Sequence, residues 1–233
     1  MNLINWIASK DPSPRLERKY YLPATYEYSL PSLMKFHPWG MKEIFFERQV
    51  NNLYFDDLSL NSFQDNLMGA TIRLKCRLRW YGQLNNSPFK VNLELKCKQG
   101  DLGYKLVIPL TQTSLKNLST SKKIKSYLLS QDLPYPVAET IKRTKPVLFN
   151  SYLRRYWTSF DGKVRLTIDR QLKFAPQLFN FLSINNTATT NKVVVELKYF
   201  AKDENSAAKV IQGLPLQISK NSKFVDGLAY GLI

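Results

Sequence analysis

An α+β fold, built on an eight-stranded antiparallel β-barrel with helices packed outside, is the architecture this sequence predicts. Three observations point to it. Apolar and polar residues alternate with a period of two along eight separate stretches of the 233-residue chain. Those stretches outnumber the helix-patterned ones and mostly follow one another in hairpin order. In several of them one face is apolar and the other is dominated by lysine and arginine, so the sheet offers one face to a core and one to something anionic.

From the amino terminus, "RLERKYYL" (15–22) alternates, and "ERQVNNLYFDD" (47–57) reads as a strand that ends at an Asp-Asp turn. "ATIRLKCRLRWYG" (70–82) carries the clearest alternation, and "FKVNLELKCKQG" (89–100) stops at Gly100. "GYKLVIPL" (103–110) continues after a turn. "PVLFNSYLRRYW" (146–157), "GKVRLTIDR" (162–170) and "NKVVVELKYF" (191–200) complete the set. Helical patterns fall at 30–36, 58–66, about 113–130 and 203–213, the last with Asp203 placed to cap it and Gly213 to end it. "SKFVDGLAYGLI" closes the chain as a short helix. Only 9 glycines are present, and no Gly/Ser linker or repeat divides the chain, so residues 1–233 read as one domain.

The two cysteines, Cys76 and Cys97, fall on apolar strand faces and read as reduced core thiols. The first residues lack a basic segment followed by a long apolar run, and no stretch reaches about 18 apolar residues. The expectation is a soluble, cytoplasmic protein, with attachment to the inner face of a membrane through a separate membrane protein partner left open.

Charge narrows the function. Lysine and arginine number 34 against 18 aspartates and glutamates, a formal net charge of +16. Such an excess repels itself unless an anion offsets it. Composition alone favours nucleic acid. The faces say otherwise. Arg73, Lys75, Arg77 and Arg79 share one side of their strand; Lys90, Glu94, Lys96 and Lys98 share one side of the next; Arg15, Glu17 and Lys19, then Arg165 and Asp169, then Glu196 and Lys198, repeat the bias. An ordinary solvated face mixes signs, because like charges across strands repel. Closed into a barrel, these faces line a cationic tunnel in which phosphates supply the neutralising charge. The single histidine, His37, lies in "KFHPWG" and reads as a loop residue. Trp80 reads as outer core, Gly82 as a turn, and Lys122, Lys123 and Lys125 as a solvated helix face.

In this order, "RLERKYYL", "NNLYFDD", "RLKCRLRWYG", "NLELKCKQG", "NSYLRRYW", "VRLTID", "VVVELKY" and "SKNSKFVDGL" resemble the catalytic domain of the vacuolar transporter chaperone (VTC) complex and its bacterial relatives. That family belongs to the triphosphate tunnel metalloenzymes. The resemblance implies an antiparallel tunnel fold that transfers the γ-phosphate of ATP to inorganic polyphosphate, releases ADP and uses Mn²⁺ or Mg²⁺. It implies catalytic roles for Arg77, Arg79, Arg154, Arg165 and Lys96. It implies phosphate contacts from Arg15, Lys19, Arg73, Lys75, Lys105, Lys198, Lys220, Ser222 and Lys223. Glu196 matches the family's metal-binding glutamate, and Glu17 joins it as a second candidate ligand; Glu94 reads instead as a structural partner for a tunnel arginine.

One departure bears on the activity. The hydrolytic tunnel enzymes open with Glu-x-Glu-x-Lys, and here Arg15 replaces the first glutamate. Losing a carboxylate weakens metal binding and adds a phosphate contact, which favours the polymerase. The expected partners are ATP and inorganic polyphosphate, with no nucleic acid. The alternatives are a triphosphatase acting on inorganic triphosphate or nucleotides, and a non-catalytic module that senses polyphosphate or nucleotide.

Overall fold

The computed structural model describes residues 3–11, 13–85, 87–177, 182–185, 187–216, 219 and 222–232. Nine strands form a single antiparallel sheet: β1 (Leu16–Pro23), β2 (Met41–Asp56), β3 (Ile72–Tyr81), β4 (Val91–Gln99), β5 (Leu102–Pro109), β6 (Lys145–Ser159), β7 (Arg165–Pro176), β8 (Ala188–Thr189) and β9 (Lys192–Tyr199). Their spatial order is β1-β9-β7-β6-β2-β3-β4-β5, with the two-residue β8 paired to β7. All eight stretches that alternate in the sequence are strands.

The sheet is curved but not closed, which corrects the expected barrel. Its edge strands β1 and β5 meet through a single bridge, Arg15 to Gly103. The cause is local. Toward the amino terminus the next residue is Pro14, which has no N–H to donate, and the N–H of Lys105 is taken by the side chain of Asp11 at 2.9 Å. In the other direction β5 stops at the turn after Gly100, so among the described residues no strand pairs with that edge of β1, and the Ser219 N–H donates to Lys19 O at 3.0 Å instead. Alternation fixes which face a side chain takes and says nothing about whether two edges pair.

Two apolar layers cover the outer face. Leu78, Trp80, Leu93, Leu95 and both cysteines pack against Ile7 of α1 (Leu3–Lys10), Ile124 and Leu128 of α4 (Ser121–Leu129), and Val137 and Ile141 of α5 (Tyr135–Arg143). Tyr20, Leu166, Val193, Val195 and Leu197 pack under Leu30 and Met34 of α2 (Ser29–Lys35) and Val210 of α6 (Glu204–Gln212). Each such side chain, fully buried, contributes about 1.5–3 kcal/mol. Cys76 and Cys97 are free, and burial pushes their thiols up to about 12 and about 11. Asp203 stands at the start of α6 without a side-chain cap bond, and Gly213 ends it.

A third apolar cluster lies on the inner face. There α7 (Lys223–Leu232) crosses the trough and sets Phe224 and Leu228 against Tyr54, Leu148, Tyr152, Phe174 and Val194. The helix comes so close that a Cβ on Gly227 would sit 2.5 Å from Phe174. Next to it α3 (Asn61–Met68) packs Phe63 edge-on to Phe224, ring centroids 6.4 Å apart. One end of the inner face is thus filled with hydrocarbon, and the charged side chains occupy what is left.

Candidate functional site

Strand register decides which charges meet. On β3 the four cations all take the inner face, and their partners on β4 continue the pattern: Arg73 opposes Lys98 and Lys75 opposes Lys96. Lys96 in turn opposes Lys105 on β5. A row of three lysines therefore crosses β3, β4 and β5, an arrangement that repels itself. On the facing wall the signs alternate. Lys19 opposes Glu196, and Glu17 opposes Lys198, across β1 and β9.

Side chains bridge the gap that the backbone leaves between β1 and β5. Glu17 accepts from Lys96 at 2.5 Å and pairs with Lys19 at 2.8 Å. Glu196 pairs with Lys198 at 2.6 Å and stands 3.8 Å from Lys19. Glu94, only 3% exposed, takes Arg77 at 2.7 Å, Arg79 at 3.5 Å and Lys105 at 2.5 Å. Asp169, fully buried, receives Arg154 through two nitrogens and Lys223 at 2.7 Å. Each carboxylate serves two or three cations.

The space over the inner face consists of two adjoining, partly open chambers, of about 620 Å³ and about 350 Å³. Eleven lysines and arginines line the smaller one against three carboxylates, Asp11, Glu17 and Glu196. Glu17, Lys19, Lys75, Lys96 and Ser222 border both and mark the junction. Lys75 makes no ion pair among the described residues; it donates to Ser222 Oγ at 2.9 Å and lies 6.0 Å from the ring centre of Phe224.

Protonation follows this crowding. Burial opposes ionisation of Glu17, yet Lys19, Lys96 and Lys198 hold its carboxyl well below the usual range. Glu196 is likewise low: burial and Glu17 oppose its charge, and Lys198, Lys19 and Arg154 outweigh them. Burial pulls Lys96 and Lys105 down to about 8 despite their carboxylate partners. Burial, then Lys19 and Lys96, hold Lys75 well below an ordinary lysine. These groups are short of negative charge, and an entering polyanion relieves them.

The expected site residues divide into four groups. Lys19, Lys75, Arg77, Arg79, Lys96, Lys105, Arg154, Lys198, Ser222 and Lys223 converge on the chambers with Glu17 and Glu196. Arg73 lines the larger chamber, and Arg15 lies at the rim of the smaller with its guanidinium 5.1 Å over the Phe200 ring. Arg165 is exposed at the start of β7 and lines neither chamber, so the structure does not gather it with the others. Lys220 lies outside the described residues.

Several supporting residues were missed. Tyr54 accepts from Arg77 at 2.8 Å, Asn52 accepts from Arg79 Nε at 2.7 Å, and Tyr152 accepts from Arg79 at 3.3 Å. Asn52 donates to Asn150 at 2.7 Å. Strand parity was the available signal, since Asn150 and Tyr152 share a face with Arg154. Glu94 has the structural role expected of it. Trp80 is core, stacked 5.1 Å from Phe89. His37 is a buried brace, bonded to Val210 O and to Trp39 N.

A divalent cation has limited protein donors here. Among the described residues no group of three or more His, Cys, Asp or Glu gathers to hold one. Glu17 and Glu196 are two carboxylates on adjoining strands, both ionised. That donor set suits Mg²⁺ or Mn²⁺, which take one or two carboxylates and complete their shells with water and substrate phosphates.

Comparison with known proteins places this geometry. Residues 15–231 match the VTC domain family. No curated protein matches the chain. Among solved structures, a candidate adenylyl cyclase from Hippeastrum, described as having dominant triphosphatase activity, is similar at 14% identity and TM-score 0.51, covering 94% of this chain and 96% of its own. A candidate adenylate cyclase from Vibrio parahaemolyticus is similar at 12% identity and TM-score 0.51, covering 90% and 95%. Another from Bacillus halodurans is similar at 12% identity and TM-score 0.52, covering 90% and 94%. At these identities the likeness is one of fold. Among the described residues no helix is long and apolar enough to cross a membrane.

Proposed function

The chain belongs to the VTC domain family, and from that premise we propose that it is a bacterial-type, metal-dependent polyphosphate polymerase that takes phosphate from ATP. The observation that carries the reading is the smaller chamber, where eleven cations face three carboxylates on an inner face shielded by α7. A lone phosphate would satisfy few of these groups, whereas a chain of phosphates matches a row of them.

Phosphoryl transfer asks a protein mainly to position groups and offset charge. Arg77, Arg79 and Arg154 are held by Glu94, Tyr54, Asn52 and Asp169, so their guanidinium groups are fixed before the substrate arrives. They grip the γ-phosphate. An oxygen of the terminal phosphate of the growing chain attacks the γ-phosphorus. The bond to the β,γ-bridging oxygen breaks, and ADP leaves with that electron pair. The attacking oxygen is already an anion, so no side-chain nucleophile is needed. Lys96 and Lys105 follow the charge as it moves. Glu17 and Glu196 would hold Mn²⁺ or Mg²⁺, which when bound offsets charge on phosphate oxygens.

A second reading, a triphosphatase, draws on the printed activity of the Hippeastrum relative and on the fold it shares. Water then replaces the chain terminus as acceptor. Arg15 in place of a first-strand glutamate disfavours it, although the Arg15 side chain stacks on Phe200 at the rim and adds no contact at the junction. One experiment separates the readings: incubate with ATP and Mn²⁺, then assay polymer, ADP and free phosphate. Polymer with ADP supports the polymerase. Phosphate without polymer supports the hydrolase. Neither product, with tight polyphosphate binding, makes the domain a sensor. We place the protein in the cytoplasm, free or held at the membrane by a separate membrane protein.

A further inference from the structure

The larger chamber has a feature that phosphate does not explain. Its mouth is formed by the last turn of α3, where Asn66, Leu67 and Met68 line the opening beside Arg73 and Lys98. Leu67 is 59% exposed and Met68 80% exposed. Hydrocarbon at the rim of a cationic channel gains nothing from an inorganic anion.

The turn is built to stay in place. The buried carboxylate of Asp56 accepts from the N–H groups of Ser62 at 3.0 Å and Phe63 at 2.8 Å, fixing the start of α3. Leu60, just before the helix, holds a left-handed conformation with φ 54°, which a leucine adopts only when its surroundings impose it. Phe63 packs against Phe224 of α7. Gly69 ends the helix at φ 74°, and the Arg73 guanidinium lies 3.9 Å from where a Cβ on Gly69 would stand. Leu67 and Met68 are thus presented at the mouth by a rigid, doubly anchored element. From there the path runs past Arg73 and Lys98 to the junction at Lys75.

We infer that the α3 lip, Asn66, Leu67 and Met68, is the subsite for the nucleoside of a nucleoside triphosphate, whose phosphates lead inward past Arg73 and Lys75. This rests on the reading of the chambers as a triphosphate channel. A nucleotide has the matching chemistry: a flat, largely apolar base joined to a polyanion. The chamber, of about 620 Å³, is of the size that small ligands occupy, and its lining is mainly charged and polar with apolar side chains at Leu67, Met68 and Val225, which matches a polyanion inside and a base at the lip. The side-chain amide of Asn66 donates to Ser62 O at 2.7 Å, which steadies the carboxamide at the lip. The lip then sets preference for nucleotide over inorganic triphosphate, and the smaller chamber is left to the growing or cleaved phosphate end.

The test compares ATP with inorganic tripolyphosphate by titration calorimetry in EDTA, so that binding is read without turnover. The variant is the double substitution Leu67→Ser, Met68→Ser; both side chains are exposed, and tripolyphosphate binding serves as its folding control. The expected result is about a tenfold loss of ATP affinity, with tripolyphosphate affinity within about twofold of wild type. Unchanged ATP affinity overturns the subsite, and so does an equal loss for both ligands. If the wild-type protein binds tripolyphosphate but gains nothing from the nucleoside, the subsite fails while the channel stands. If it binds neither, the channel reading itself fails.

Discussion

Replacing Glu94 by Gln tests the central electrostatic claim. Glu94 is 3% exposed, and its two oxygens take three hydrogen bonds from cations: two from Arg77, at 2.9 and 2.7 Å, and one from Lys105 at 2.5 Å, with Arg79 at 3.5 Å. The amide keeps the shape, removes the charge and turns an N–H₂ toward cations. Breaking one side of a buried ion pair costs about 3–5 kcal/mol, because the remaining charge is left uncompensated. For a chain of this length about 2–4 °C of Tm accompanies each kcal/mol, so the variant should melt about 6–20 °C lower by calorimetry. Adding tripolyphosphate should raise Tm by more in the variant than in wild type, since the anion offsets the cations that Glu94 leaves. The pH dependence has a definite sign. Burial opposes ionisation of Glu94, but Arg79, Arg77 and Lys105 hold its carboxyl far below the ordinary glutamate value of about 4.3. Its contribution is therefore present above about pH 4–5 and is lost as pH falls below that, so the variant should lose less stability on acidification. A melting point within about 2 °C of wild type, in the absence of anions, would refute the idea that Glu94 holds these cations. Glu139→Gln, which breaks only surface pairs with Lys142 and Arg143, should leave Tm unmoved.

Other expectations follow from the same geometry. Arg77→Ala should abolish turnover of ATP while near-ultraviolet circular dichroism stays native; retained activity would remove Arg77 from the site. Glu196→Gln and Glu17→Gln should each lose Mn²⁺-stimulated turnover but still bind tripolyphosphate in EDTA, and a loss of that binding would mean that the carboxylates organise the lysines rather than hold a cation. Burial, opposed by Glu94 and aided by Arg79, brings Lys105 down to about 8. Tripolyphosphate affinity should accordingly fall as pH rises through about 8, and Lys105→Arg should flatten that fall. Gly227→Ala places a Cβ 2.5 Å from Phe174 and 2.7 Å from Leu148, so it should destabilise the fold by about 1–3 kcal/mol in urea unfolding.

Strand alternation made most of this fold legible, and the places where it failed have physical causes. The long first half of β2 was missed because register shifts between Glu43 and Phe45 and between Phe45 and Arg48 destroy the period of two. Helix α5 has no counterpart among the expected helices; its first turn carries Pro136, and proline is tolerated in a first helical turn. Of the helix expected over about 113–130, only Ser121–Leu129 forms; Thr113 instead bridges Phe89 across the sheet. The open edge was hidden because it depends on Pro14 and on the Asp11 side chain, not on any face. At the site, parity placed the lysines and arginines correctly, yet it gave no account of their neutral partners. Tyr54 and Tyr152 belong to the apolar cluster under α7 and Asn52 is buried; parity puts such residues on the arginine face, and the packed structure shows which arginine each one braces.

The charge pattern follows from a conflict between folding and binding. A face carrying cations alone would be too repulsive to bury, while a face with every cation paired would hold no phosphate. The chain resolves this by sharing. Glu94 steadies two arginines and a lysine, Asp169 an arginine and a lysine, and Glu17 three lysines. Sharing leaves positive charge in excess while giving most cations of the smaller chamber a fixed place. Lys75 has no carboxylate partner among the described residues and is held by a serine hydroxyl at the junction of the two chambers. A phosphate passing from one chamber to the other must cross there, where it supplies the negative charge that Lys75 lacks. Lys75→Met, close in volume and uncharged, should therefore stabilise the ligand-free protein and weaken tripolyphosphate binding together. Neither a stable variant with undiminished binding nor a destabilised one is compatible with that account.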